Sequence, residues 1–161
     1  MILKSSNFLY LFDLDGTISG SDNWQSFFKN CQLSFRKLHL NPDSYDIRWC
    51  LLTSRPRIDY LLIKLICKYH KLHPKKIFTS PTWTYKFKNK DQEADYKVSI
   101  IKNILDEKIK LNYTNSKIDK ICYIDNNLDL VTRMNNQRTN YSFLAITVPD
   151  FLTKNLEFIL T

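Results

Sequence analysis

The chain has 161 residues, enough for one domain with one core, here 1–161, and its 43% hydrophobic and 25% charged residues suit an ordinary soluble globular protein. No apolar run is long enough to span a membrane, and the opening MILKSSN lacks the pattern of a secretory leader, so a cytoplasmic protein is expected. The net charge of +8 is uneven: residues 71–120 hold twelve lysines against six acids, a segment that either meets an anionic partner or is a solvated face.

Phe8–Phe12, five apolar residues in a row, predicts a buried strand. Trp24, Phe27, Phe28, Cys31, Phe35 and Leu38 keep helical spacing. Ile47–Leu52 predicts a second strand. Pro56 then opens a helix with Ile58, Leu61, Leu62, Leu65, Ile66 and Tyr69 on one face. KIFTSP predicts a short third strand. Residues 81–96, PTWTYKFKNKDQEADY, form a short insertion. In it Trp83, Tyr85 and Phe87 alternate with Thr84, Lys86 and Lys88, the pattern of a half-buried strand or hairpin, or of a platform on which bases stack beside lysines. Val98, Ile101, Ile104, Leu105 and Ile109 mark another helix, KICYID a fourth strand, Leu128, Val131 and Met134 a helix, and SFLAITV a fifth strand. DFLTKNLEFIL predicts a last helix with Asp150 as its N-cap. Strands alternating with helices imply a parallel sheet covered on both faces, with ligands bound beyond the carboxyl ends of its strands. Cys31, Cys50, Cys67 and Cys122 form no CxxC pair and are expected as buried thiols rather than zinc ligands.

Asp13 and Asp15 follow the first strand directly. Burying one carboxylate is costly, and a second beside it repels the first. Thr53-Ser54-Arg55 follows the second strand and Asp125-Asn126-Asn127 the fourth, so three strand ends deliver polar groups to one edge. A divalent cation would reconcile the carboxylates, and an all-oxygen set favours Mg²⁺. Gly16 allows a sharp turn after the pair. Arg55, read from its neighbours alone, caps the helix start or pairs with Asp59.

These residues resemble the haloacid dehalogenase superfamily: DLDGT after an apolar strand, a Thr/Ser after the next, a later lysine, and an Asp at a further strand end. The resemblance covers nearly the whole chain. It implies a three-layer Rossmann-like sheet of order 5-4-1-2-3 with a minimal cap. It implies Asp13 as nucleophile, Asp15 as general acid/base, Thr53 as holder of the transferring phosphoryl group, and Lys97, with Lys102 in reserve, as the charge-balancing lysine. Mg²⁺ would be held by Asp13, the backbone carbonyl of Asp15 and Asp125, with Asn126 and Asp129 around it; Asp129 would meet the metal through water or hold Lys97. The second aspartate points to a phosphatase. The stretch LLTSRPRIDYLLIKLICKYH is also similar to the phosphatase domain of polynucleotide kinase-phosphatases, which implies Ser54, Arg55 and Gly16 around the substrate. The expected activity is phosphomonoester hydrolysis through an aspartyl-phosphate, on a nucleotide or the phosphorylated end of a nucleic acid. A small-metabolite phosphatase, or a non-catalytic module of this fold that binds nucleic acid or protein, is the alternative.

Overall fold

The computed structural model describes residues 7–18, 48–83, 87–113, 117–138 and 142–153. The helix predicted over Trp24–Leu38, with Cys31, residues Thr84, Tyr85 and Lys86 of the aromatic–lysine alternation, and residues 154–160 of the predicted last helix lie outside the described residues.

β1 (Phe8–Phe12), β2 (Trp49–Leu52), β3 (Ile77–Phe78), β4 (Lys120–Asp125) and β5 (Phe143–Thr147) form one five-stranded sheet, all pairs parallel. The order is β3-β2-β1-β4-β5, which is 5-4-1-2-3 counted from the other edge. β1 is central and buried along its whole length, which is why it reads as an unbroken apolar run rather than an alternating one. Its side chains split between two cores. Phe8, Tyr10 and Phe12 pack with Trp49 and Leu51 beneath α1 (Tyr60–Tyr69) and α4 (Val148–Thr153). Leu9 and Leu11 pack with Cys50 and Leu52 beneath α2 (Lys90–Leu105) and α3 (Leu128–Asn136). Helices therefore cover both faces.

Several details differ from expectation. Pro56 precedes a short 3₁₀ turn, Arg57–Asp59, and α1 begins only at Tyr60. α1 buries Ile63, Ile66 and Cys67, whereas Ile58, Leu61, Leu65 and Tyr69 of the predicted core stripe are 55%, 70%, 64% and 74% exposed. The helix is apolar on most of its circumference, broken mainly by Lys64 and Lys68, so periodicity does not choose its inner face. α2 starts at Lys90 with Asn89 as its cap, accepting the Gln92 N–H at 2.9 Å, so Lys90–Tyr96 of the expected insertion are helical. Ile109 lies past its end. Asp150 is not the cap of α4: the Thr147 hydroxyl donates to Asp150 Oδ2 at 2.9 Å and accepts the Asp150 N–H at 3.3 Å, a reciprocal link three residues apart. Cys50, Cys67 and Cys122 are buried free thiols, and burial pushes Cys50 and Cys67 up to about 12. Among the described residues no helix is long and apolar enough to cross a membrane.

Candidate active site

Parallel strands place all their carboxyl ends on one edge of the sheet, and the first residue beyond a central strand emerges there. β1 and β4 are neighbours with Phe12 opposite Ile124, so Asp13 and Asp125 leave the sheet side by side. The Asp13 N–H continues the ladder by donating to the Ile124 carbonyl at 2.9 Å. Asp125 is held from the other side as well: its Oδ1 accepts the Asn127 N–H at 2.8 Å, and the Asn127 side chain caps α3 by accepting the Leu130 N–H at 3.1 Å.

Lys97 comes from two turns into α2 and is fully buried. Its ammonium donates to Asp13 Oδ1 at 2.9 Å, Asp125 Oδ2 at 3.1 Å and the Tyr123 hydroxyl at 2.5 Å. Tyr123 precedes Asp125 by two residues, hence shares its strand face, and its hydroxyl donates to Asp125 Oδ2. Burial alone would lower the Lys97 pKa, but Asp13, Asp125 and Glu93 outweigh it and hold the ammonium above its ordinary value. Burial pushes the Asp13 carboxyl up to about 8, against the pull of Lys97 and with Asp125 adding to the rise. Lys102 lies on the exposed side of α2.

A cavity of about 450 Å³ opens over this centre, walled by Asp13, Asp15, Ser54, Arg55, Glu93 and Asp125 among others, with Phe87, Lys88 and Lys90 on one flank and Asn126 and Asn127 on another. Gly16 is required beneath it: φ is +74°, and a Cβ there would lie 2.2 Å from Asn126 Nδ2. Thr53 is fully buried and is not in the wall; its hydroxyl accepts the Arg55 N–H at 3.2 Å. Arg55 grips Asp15 with its fork, Nε to Oδ2 at 2.9 Å and NH2 to Oδ1 at 2.6 Å, and reaches Asp59 at 3.4 Å. Both sequence expectations for its neighbourhood thus omit its main partner. Trp83 belongs to a separate cavity with Arg57, Ile58 and Leu61, so it does not share the wall around Asp13. Asp129, expected at the metal or at Lys97, instead sits exposed and takes Arg133 Nε at 3.1 Å, the neighbour one turn along α3.

Two residues absent from the sequence-based set belong to the centre. Tyr123 is one. Glu93 is the other: buried in the cavity wall, it accepts from the Ser54 hydroxyl, pairs with Lys90 at 2.8 Å and lies 3.3 Å from Lys97.

The donor set fits Mg²⁺. Among the described residues no three His, Cys, Asp or Glu side chains are grouped to hold a metal, and the Asp15 carboxylate is paired with Arg55. Mg²⁺ does not require three; it binds through one or two carboxylates, water and substrate phosphate. Asp13 and Asp125 supply two hard oxygen ligands, and the Asp13 hydrogen bond to Lys97 uses Oδ1. Asp13, Asp125 and Glu93 lie around the Lys97 ammonium, and Glu93 also pairs with Lys90, so the two aspartates share Lys97 as their cation. Compared with family models, curated proteins and solved structures, the chain matches none.

Proposed function

We propose that this protein is a Mg²⁺-dependent phosphomonoester hydrolase of the haloacid dehalogenase type. The observation that carries the proposal is the convergence of Asp13, Asp125 and Lys97 at adjacent strand ends beneath an open polar cavity. In this reaction an Asp13 oxygen attacks phosphorus in line, and the bond from phosphorus to the leaving oxygen breaks. Asp15 gives a proton to that oxygen, then takes one from a water that attacks the aspartyl-phosphate and releases Asp13 and inorganic phosphate. The incoming phosphate competes with Asp15 for the Arg55 fork, which frees a carboxylate oxygen for this exchange. Lys97 balances charge on the nucleophile and the phosphoryl oxygens, and the Ser54 hydroxyl stands in the cavity wall at the next strand end, while the buried Thr53 hydroxyl holds the turn through the Arg55 N–H. Mg²⁺, held by Asp13, Asp125 and the Asp15 backbone carbonyl, would neutralise charge developing on the transferring group.

The favoured substrate is a nucleotide or a phosphorylated nucleic-acid end. Its support is the flank of Phe87, Lys88 and Lys90, an aromatic ring packed on Tyr96 beside two lysines, of which Lys90 pairs with Glu93. The test is phosphate release from an aryl phosphate, then from nucleotides, sugar phosphates and 3′- or 5′-phosphorylated oligonucleotides. Hydrolysis should stop in EDTA, return with Mg²⁺ and be absent in Asp13→Asn. Full turnover in EDTA would sink the mechanism, and turnover confined to sugar phosphates would replace the substrate class.

A further inference from the structure

We propose that Glu93 is a positioning residue that sets the hydroxyl-bearing turn after β2 against Lys97; this rests on the phosphatase reading above. The turn and the lysine come from elements distant in sequence, β2 and α2, and no backbone ladder joins them. In the described structure one Glu93 oxygen spans the gap, and the other anchors the carboxylate. One accepts from the Ser54 hydroxyl and lies 3.3 Å from Lys97 Nζ; the other takes Lys90 Nζ at 2.8 Å. The spacing from Glu93 to Lys97 is one helical turn, so both face the sheet from the same side of α2. Glu93 is only 7% exposed although it stands in the cavity wall.

The charges support this role. Burial works to raise the Glu93 carboxyl, yet Lys97, Lys90 and the Ser54 hydroxyl hold it below its ordinary value, so it stands as an anion. The three hydrogens of Lys97 already go to Asp13, Asp125 and Tyr123. Glu93 therefore acts on Lys97 as a fourth neighbour, by charge, while its hydrogen bond goes to Ser54. Removing it would leave the ammonium to the two aspartates alone and let the Ser54 end of the turn move away from it. A displacement of about 1 Å among groups that meet the transferring phosphoryl costs on the order of 100-fold in rate.

The test is a double-mutant cycle on aryl phosphate hydrolysis with Mg²⁺, using Ser54→Ala, Glu93→Ala and the pair, together with Glu93→Gln. Each single alanine change should lower kcat by roughly 10- to 100-fold with KM nearly constant, and the pair should be no worse than the poorer single variant. Glu93→Gln, which keeps an oxygen for Ser54, should recover part of the loss. Losses that multiply in the pair, or an unchanged kcat in Glu93→Ala, would overturn the positioning role. Should Glu93→Ala melt below the assay temperature, Ser54→Ala and Glu93→Gln carry the same comparison. A wild-type chain that releases no phosphate with Mg²⁺ is the separate outcome that removes the phosphatase reading, and the positioning role with it.

Discussion

Three carboxylates around one buried ammonium decide what each residue at the sheet edge can do. Lys97→Met would leave Asp13 and Asp125 buried beside each other with no counter-charge, and breaking a buried pair in this way costs about 3–5 kcal/mol. Urea unfolding of metal-free protein should show that loss, with Mg²⁺ restoring part of it; an unchanged midpoint would mean that Lys97 does not hold the pair. Asp13 gives a second expectation. Its carboxyl is raised in the folded state to about 8, so between about pH 4 and about pH 8 the folded chain keeps a proton that the unfolded chain releases, and metal-free stability falls as pH rises. A cation that binds the ionised pair competes with that proton. The Mg²⁺-induced gain in Tm should therefore be larger at about pH 8 than at about pH 6, and a gain that is flat or falls with pH would count against Asp13 as a ligand. Asp13 and Asp125 were legible in the sequence because a carboxylate directly after an apolar strand is anomalous. Glu93 was not, because Lys90, Glu93 and Lys97 at spacings of three and four look like a surface charge ladder. Tyr123 in an apolar strand looks like core. Only the packing of α2 against the sheet gives both a polar role, and it leaves Asp129 to Arg133.

Among the elements, the strands were the most legible, because strands covered on both faces need apolar residues at every position. α1 was the least. Both of its long sides are apolar, and the buried side is Ile63, Ile66 and Cys67. Stability measurements separate the two sides. Ile66→Ala removes a fully packed side chain and should cost about 2–5 kcal/mol. Leu65→Ala, one residue away but 64% exposed, should change stability by no more than about 0.5 kcal/mol. Comparable losses in urea unfolding would mean that the outward stripe is covered in the folded chain. The cap of α4 shows a subtler limit. Both Thr147 and Asp150 are good capping residues, and the choice of Thr147 depends on β5 running as far as that residue, a boundary set by its pairing with Asp125 on β4.

At the scale of the whole molecule, parallel strands give the sheet two chemically different ends, and charge divides between them. Arg48, Lys75, Lys76 and Lys120 stand at strand starts, and Lys108, Lys110 and Lys117 lie in the connection that leads into β4. Among the described residues the acids at that end are Asp106, Glu107 and Asp119. The opposite edge holds Asp13, Asp15, Asp59, Glu93 and Asp125. Half of the basic surplus of residues 71–120 is therefore remote from the proposed chemistry, a division that composition along the chain does not reveal. Among the described exposed lysines of that segment, Lys88 and Lys90 border the Asp13 cavity. If the substrate is a phosphorylated oligonucleotide end, about two backbone phosphates can be neutralised beside it. Each contacted phosphate on a single strand contributes a log–log salt slope of roughly 0.7, so these two lysines together should contribute about 1.4 to the slope for kcat/KM. Lys88→Gln with Lys90→Gln should flatten it, while Lys75→Gln with Lys76→Gln should leave oligonucleotide turnover unchanged. A steep slope that survives the first pair and disappears with the second would mean that the strand is anchored at the far end of the sheet, and that Lys88 and Lys90 are not its contacts.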